Sequence, residues 1–348
     1  MSKKALIALS GGVDSSVAAY LMLQQGYDCV GATMQLLDGA EKQMADAKSV
    51  ADRLGIPFYA FDLRKEFRKT VMDAFADSYI RGDTPNPCVV CNKELKFGLL
   101  AEKAKELGCD FIVTGHYAKT ERQNGKVLLK KAENAEKDQS YFLYSLSPEQ
   151  LSRVIFPLGS YSKPQIRAIA DELGLVTAAK KDSQDICFVP DGDYVSVIEG
   201  LTQQKFPHGN FVDTNGNVLG QHSGLIRYTV GQRKGLGIAL GHPAYVGRKN
   251  AAENQVVLCS DEELYSDTLT ARDFNWITFD SASKALRCQA RIRYRHKEQP
   301  ATVTVCGDVV KVVFDSPQRA ITPGQSVVLY DGDTVLGGGI INKSVTAN

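Results

Sequence analysis

The stretch Lys4-Ala5-Leu6-Ile7-Ala8-Leu9-Ser10-Gly11-Gly12-Val13-Asp14-Ser15-Ser16 decides the fold class. Ala5 to Leu9 is an unbroken apolar run, which predicts a buried strand over Lys4–Leu9. Val13–Gln25 then carries its apolar residues at helical spacing. A strand, a Ser-Gly-Gly turn and a helix together make a site for an anion. The glycines let backbone approach closely, and the amides and dipole of the first helical turn hold the charge. Ser10, Ser15 and Ser16 add hydroxyl donors. No Lys follows the glycines, so this is not a Walker loop, and the three-glycine dinucleotide fingerprint is missing as well. A tight turn that binds nothing is the plain alternative. Asp14 is placed either to hold Mg²⁺ against a phosphate or simply to complement the helix dipole.

Outward from this loop, strand and helix alternate. The expected elements are strands Asp28–Met34, Pro57–Asp62 and Phe111–Thr114, and helices Lys42–Leu54, Glu66–Ile80 and Asn92–Leu107. Gly55 and Gly108 stop two of the helices. This order predicts an α/β, doubly wound, mostly parallel sheet with ligands at the C-terminal ends of its strands. Lys163–Leu173 adds a helix with Pro164 near its start and Gly174 after its end. Beyond about residue 190 the texture changes. Turn residues punctuate short alternating segments: Arg287–Arg295, Ala301–Val305, Val309–Phe314, Ser326–Tyr330 and Val335–Ile341. These predict an all-β C-terminal domain, a small barrel. The expected division is 1–190, a small central domain at 191–265, and 266–348.

With 41 basic and 40 acidic side chains, net charge is +1, so only a local basic patch can speak for nucleic acid. No apolar run approaches the roughly 18–20 residues that span a bilayer, and Ala5–Leu9 runs into the Ser-Gly-Gly turn rather than a signal-peptide cleavage site. A cytoplasmic protein without a membrane partner is the expectation. Its eight cysteines are then reduced thiols rather than a disulfide framework.

Two cysteines stand out. Cys88-Val89-Val90-Cys91 follows Thr84-Pro85-Asn86-Pro87, whose prolines are expected to hold off helix until near Cys91 or Asn92. Cys91 at a helix N-terminus, with Lys93 and Lys96 close by, would favour its thiolate. A single CxxC falls short of the four ligands of structural zinc. Cys187, between Ile186 and Phe188, reads on its own as a small buried hydrophobe, as do Cys29, Cys109, Cys259, Cys288 and Cys306. His116, after Thr114-Gly115, reads on its own as a structural hydrogen-bonder. The segment Lys284–Lys297 holds six Lys/Arg and no acid. At strand period two, Arg287, Arg291, Arg293 and Arg295 share a face that could track a phosphate backbone, and the nearby Tyr294 could stack on a base. An ordinary solvated face is the alternative. Arg233 and Lys234, in a Gly-rich loop, offer a second small basic site.

Together these motifs resemble the bacterial tRNA-specific 2-thiouridylases, the MnmA family, of the PP-loop ATP pyrophosphatase superfamily. The matching segments are SGGVDSSV at Ser10–Val17, TPNPCVVCNKELKF at Thr84–Phe97, TGHYA at Thr114–Ala118, KDQSYFL at Lys137–Leu143, DSQDICFV at Asp182–Val189, YTVGQRKGLG at Tyr228–Gly237, RYR at Arg293–Arg295 and TPGQ at Thr322–Gln325. The resemblance implies ATP-dependent adenylation of the wobble uridine and sulfur transfer to its C2, giving 2-thiouridine, AMP and pyrophosphate. It implies ATP contacts at Ala8, Leu9, Ser10, Gly11, Gly12, Val13, Asp14, Ser15, Met34 and Gly115. Cys91 is then the nucleophile and Cys187 the persulfide carrier, with a transient Cys91–Cys187 disulfide. It implies tRNA contacts at Asn86, Pro87, Cys88, His116, Lys137, Asp138, Gln139, Arg293, Tyr294 and Gln325. A sulfur donor is implied too: a cysteine desulfurase, a relay protein or inorganic sulfide.

Many members of that family carry Asp where this chain has Cys88. Cys88, Cys91 and Cys187 thus form a trio that could hold a [4Fe–4S] cluster with one open iron, beside the persulfide reading. Two other classes remain open from sequence: a PP-loop ligase or amidotransferase that adenylates a small carboxylate, and a zinc- or redox-responsive RNA-binding protein. If the basic segment binds RNA, affinity falls with salt and Arg293→Ala weakens it. Filter binding of tRNA at two ionic strengths reads this, and unchanged binding by Arg293→Ala counts against the role.

Overall fold

A computed structural model describes residues 2–175, 185–279 and 285–345. Asp182, Ser183 and Gln184 of the matched cysteine segment, and Lys284 of the basic segment, lie outside the described residues. The chain forms two compact units. The first comprises residues 1–71, 88–187 and 332–336, and the second 72–87, 188–331 and 337–348.

The first unit is built on strands β1 (Lys4–Ala8), β2 (Asp28–Gln35), β3 (Phe58–Asp62), β4 (Phe111–Val113), β5 (Ala118–Gln123), β6 (Lys126–Lys131) and β7 (Val154–Ile155). Five of them form a parallel sheet in the order β3-β2-β1-β4-β7. The expected doubly wound sheet is therefore present. Ile7 pairs with Gly31 on one side and Val113 on the other. Ala5, Leu6 and Ile7 are fully buried, which is why the run is apolar without alternation. Strand order reverses beside β1, so the loops after β1 and β4 open on one crevice. Helix Val13–Gln24 buries Val13, Val17, Ala18, Leu21 and Met22.

Three local features differ from expectation. The antiparallel hairpin β5–β6 was not anticipated, although Asn124-Gly125, both at positive φ, is a strong hairpin-turn signal. Glu66–Ile80 is not one α-helix: Arg64–Phe67 and Asp73–Ile80 are α-helical, and Arg68–Met72 between them is π-helical. Helix also begins earlier than the prolines suggested, at Pro87, because proline is tolerated in a first helical turn whose N–H has no partner anyway. Cys91 is thus one turn inside, at the start of a π-helix, Cys91–Leu99, that runs into the α-helix Leu100–Glu106.

The second unit holds helix Tyr194–Thr202 and strands β8 (Gly209–Val212), β9 (Val218–His222), β10 (Tyr245–Asn250) and β11 (Gln255–Cys259), ordered β10-β11-β8-β9. Its other strands are β12 (Tyr265–Trp276), β13 (Leu286–Arg291), β14 (Gln299–Cys306), β15 (Val309–Arg319), β16 (Ser326–Asp331) and β17 (Thr334–Val345). These six run β12-β15-β14-β13-β16-β17, and β12 pairs with β17, closing the expected barrel. Closure pairs the two end strands of the six with each other. Cys288 of β13 is buried as read, and Ala290 on the same face is buried as well. The basic face does not extend as read, because β13 ends at Arg291 and Arg293 and Arg295 lie in the turn that follows.

One buried charge in this unit stands out. Lys249 on β10 faces the Tyr79 ring at 5.7 Å, and its ammonium is buried without a hydrogen-bond partner. Burial lowers Lys249 to about 8, opposed by Asp83. Asp83 is itself raised by burial while Arg272, Arg81 and Lys249 oppose the rise. An unfolded lysine keeps its proton to about 10.4. The unfolded chain therefore binds more protons between those values, and stability rises with pH through that window, the cost being complete below it. Lys249→Met is expected to unfold at higher urea than the parent at about pH 7, with the advantage shrinking by about pH 10.

Candidate active site

The loop after β1 is set by backbone and serine hydroxyls. Gly11 has φ of 65°, and a Cβ there would come within 2.6 Å of the Gln43 carbonyl oxygen. Gly12 caps helix Val13–Gln24 in an extended conformation. The Ser10 amide donates to Ser15 Oγ at 3.1 Å, and the two hydroxyl oxygens lie 3.1 Å apart. Ser15 and Ser16 both donate to the Gly12 carbonyl, at 3.0 and 2.9 Å. Ser16 is therefore tied to the turn and fully buried, while Ser10 is exposed. Gly115, after β4, packs on this turn so closely that a Cβ would sit 2.7 Å from the Ser15 amide nitrogen. Met34 stands half-buried near the end of β2. Residues read as one nucleotide site thus come from the ends of β1, β2 and β4.

Asp14 has partners that neither sequence reading foresaw. Lys163 Nζ donates to its two carboxylate oxygens at 2.8 and 2.9 Å, and the Tyr117 hydroxyl donates to Oδ1 at 2.7 Å. Lys163 is only 7% exposed. It opens the helix Lys163–Glu172, capped by Ser162, whose amide donates to Gln165 Oε1 at 2.8 Å. A cation in a first helical turn opposes the helix dipole. That position was the available signal: a lysine where the helix disfavours one needs an anion elsewhere, and here it is Asp14.

The three thiols lie in the same unit. Cys88 and Cys187 are exposed and Cys91 is buried, and all are free thiols. Burial raises each of them. Cys187 is pushed up to about 11, with the Cys91 and Cys88 sulfurs adding to the rise. Cys91 is raised by burial first, opposed by Lys96, and Cys88 follows the same pattern. The expected thiolate at a helix N-terminus is therefore corrected: Cys91 is buried inside the helical segment, where desolvation outweighs the nearby cation. Cys187, in turn, is not the buried hydrophobe that its neighbours suggested. Among the described residues no group of three or more His, Cys, Asp or Glu side chains is arranged to hold a metal ion. Cys88, Cys91 and Cys187 are thus not arranged as such a group.

Beside the thiols, His116 Nδ1 lies 2.7 Å from the Thr114 hydroxyl, with its ring between Phe97 and Phe156 at 6.0 Å from each. Burial lowers it well below the usual histidine range, with Lys96 adding to the fall, so the ring is neutral. Asp138 is buried, and its carboxylate accepts from the Ala132 and Ser140 amides and the Ser140 hydroxyl. Gln139 is tied to Tyr117 through both backbone and side chain. Lys137 is half-buried beside them.

Of the residues read as RNA contacts, Cys88, His116 and Lys137–Gln139 belong to the first unit. Asn86, Pro87, Arg293, Tyr294 and Gln325 belong to the second. There, Gln325 Nε2 donates to the Thr84 carbonyl at 2.8 Å, and the Thr84 amide donates to the Pro323 carbonyl at 2.9 Å. The barrel's Thr322–Gln325 turn thus holds the start of the segment that carries Asn86 and Pro87. Arg293 donates to the Ala320 carbonyl at 2.6 Å and to the Thr322 hydroxyl. Arg287 pairs with Asp315. Neither arginine stands on an open basic row. Arg291 lies over the Tyr294 ring at 5.4 Å.

A parallel sheet with this loop at its switch point, in a chain that also carries a closed β-barrel, defines a PP-loop nucleotide-binding protein of the HUP class. Family models match in three segments: the tRNA methyl transferase HUP domain at residues 3–191, the tRNA methyl transferase PRC-barrel domain at 196–260 and the aminomethyltransferase beta-barrel domain at 266–341. A tRNA-specific 2-thiouridylase MnmA of Clostridioides difficile is 48% identical over 99% of both chains. That of Acetivibrio thermocellus is 50% identical over 97% of this chain and 99% of its own. The chain belongs to the tRNA-specific 2-thiouridylase family, MnmA. A solved 4-thiouridine synthetase–RNA complex with bound ATP is 20% identical over 58% of this chain and 50% of that one, at a TM-score of 0.36, a likeness too slight to build on.

Lys163→Met leaves Asp14 with the Tyr117 hydroxyl but no cation. It is expected to lower stability by on the order of 2 kcal/mol, less than for a fully buried pair because Asp14 keeps some solvent. Urea denaturation reads the loss, and isothermal titration with ATP is expected to show weakened binding as well.

Proposed function

We propose that this protein is an ATP-dependent tRNA 2-thiouridylase acting on the wobble uridine. The reading is carried by one juxtaposition, a PP-loop and three free thiols in a single folded unit, in a chain alike to 2-thiouridylases from end to end. The family-model descriptions speak of methyl transfer. An anion-binding loop with thiols in the same unit suits adenylation and sulfur transfer instead. The division 1–190, 191–265 and 266–348 is proposed on the three matched segments.

ATP would lie against Ala8–Ser15, Met34 and Gly115. The amides of the Gly12–Ser15 turn and Lys163 would meet its phosphates. Mg²⁺ would accompany the nucleotide, held by its phosphates and Asp14, and would neutralise the leaving pyrophosphate. The uridine O2 attacks the α-phosphorus, and pyrophosphate leaves with the bond to the β-phosphate. The terminal sulfur of a Cys187 persulfide then attacks C2, and AMP leaves with the former O2. The Cys91 thiolate attacks the Cys187 sulfur, releasing 2-thiouridine and forming a Cys91–Cys187 disulfide. A dithiol or other external reductant supplies two electrons to reset it. Sulfane sulfur for the Cys187 persulfide comes from a cysteine desulfurase or a relay protein, whereas inorganic sulfide, already fully reduced, would attack the adenylated C2 directly, with AMP leaving.

The base would meet Asn86, Pro87 and Cys88, and His116, Lys137–Gln139, Arg293, Tyr294 and Gln325 would lie along the RNA. Among the described residues no helix is long and apolar enough to cross a membrane, and a cytoplasmic setting fits the free thiols. Incubation with ATP, Mg²⁺, a cysteine desulfurase with cysteine as the sulfane-sulfur source, and unmodified tRNA, followed by nucleoside mass spectrometry, is expected to give 2-thiouridine and AMP. Cys91→Ser and Cys187→Ser are expected to lose persulfide-dependent product by at least about a hundredfold. ATP–pyrophosphate exchange driven by a small carboxylate without tRNA would support the ligase reading instead.

A further inference from the structure

The π-helix Cys91–Leu99 sets what stands beside the nucleophile. In an α-helix, residue i+4 returns above residue i. The wider π coil bonds i to i+5, so the residue five along returns as well. Lys96 therefore stands over both Cys91 and Asn92. Its ammonium donates to Asn92 Oδ1 at 3.0 Å, and Asn92, only 2% exposed, donates its own amide to the Phe142 carbonyl at 3.1 Å. The ammonium is thus anchored through a buried amide to a separate segment. Lys93, the other lysine near Cys91, is exposed and lies 3.6 Å from Glu94.

The π turn is itself held from outside. Gln150 Nε2 donates to the Lys93 and Phe97 carbonyls, at 2.9 and 3.0 Å. Its Oε1 accepts from the Ser147 amide at 2.9 Å. One side chain caps its own helix and fixes the coil that carries Lys96. Gly98 fits the same coil, since a Cβ there would lie 3.1 Å from the Lys93 carbonyl oxygen.

We propose that Lys96 is a positioning residue for sulfur transfer: anchored by Asn92 on the π turn, its charge sets how readily Cys91 and Cys187 present thiolates. The proposal rests on the thiolation reading for what the thiolates are used for. Among the described residues, the side chains whose charge acts on the three thiols are one another and Lys96. Lys96 is the cation that favours the thiolate at Cys88, Cys91 and Cys187 alike. His116, after β4, faces the same ammonium and is neutral, so it adds no second charge. Burial resists ionisation at each sulfur, and one shared cation opposes it. When a thiol ionises its proton leaves to solvent.

The test is the pH dependence of iodoacetamide alkylation of the full-length reduced protein, read cysteine by cysteine by peptide mass spectrometry. Lys96→Gln keeps an amide donor toward Asn92 without charge, Lys96→Met removes both, and Lys96→Arg keeps the charge. Lys96→Gln and Lys96→Met are expected to slow alkylation of Cys91 and Cys187 roughly tenfold at about pH 9, moving both profiles to higher pH. Lys96→Arg is expected to stay within about threefold of the parent. The exposed Cys306 of the second unit serves as an internal control with an unmoved profile. If Lys96→Met does not fold, Lys96→Gln carries the comparison. Parent-like rates at both cysteines in Lys96→Gln overturn the proposal, as does equal slowing in Lys96→Arg and Lys96→Gln. The assay contains neither ATP nor tRNA, so its failure overturns the Lys96 assignment alone. Failure of the parent to make 2-thiouridine overturns the reading on which it rests.

Discussion

The ion pair between Asp14 and Lys163, with the Tyr117 hydroxyl on the same carboxylate, is the interaction on which the site depends. It joins three segments distant in sequence: the turn after β1, the chain leaving β4, and the helix that opens at Lys163. A carboxylate and an ammonium that are both largely withdrawn from solvent hold position because separating them would strand a charge. The pair also stores a cation beside an anion-binding turn.

A second constraint is close approach. Gly115 permits the β4 exit to lie against the Ser15 amide, and Gly11 permits the turn to pass the Gln43 carbonyl. Each is a place where one methyl group would push the nucleotide turn away from its support. The thiols follow a different logic. Burial keeps them protonated in the free protein, so they are poor nucleophiles until a partner or the local charge changes the balance. Desolvation of the sulfurs and the Lys96 charge pull in opposite directions. The Asn92–Lys96 bridge is where the structure adjusts between them.

Much of the fold was readable because it follows from periodicity. Unbroken apolar runs announced the parallel strands, and alternating ones announced the barrel. The β5–β6 hairpin was missed although Asn124-Gly125 marks its turn. The length of the basic strand was overread, since alternation alone does not say where a strand gives way to a turn. The site was legible in its residue types but not in their states. Proline before Cys88 suggested a late helix start, yet proline suits a first turn, and the shift carried Cys91 from an exposed helix end into the interior. That reversed the expected direction of its pKa. The arginines looked like a phosphate-tracking row, but Arg293 is bound to carbonyl and hydroxyl oxygens and Arg287 to Asp315.

By itself the sequence determined the class of fold and the Ser-Gly-Gly loop, because each is written in local spacing: a strand, two glycines, a helix. Only the tertiary structure decided which charges meet. Lys163 reaches Asp14 across 149 positions, Gln150 shapes the coil that lifts Lys96 over Cys91, and desolvation sets the protonation of the thiols. Pairing across such separations and loss of water are properties of packing. No local pattern of residues encodes them.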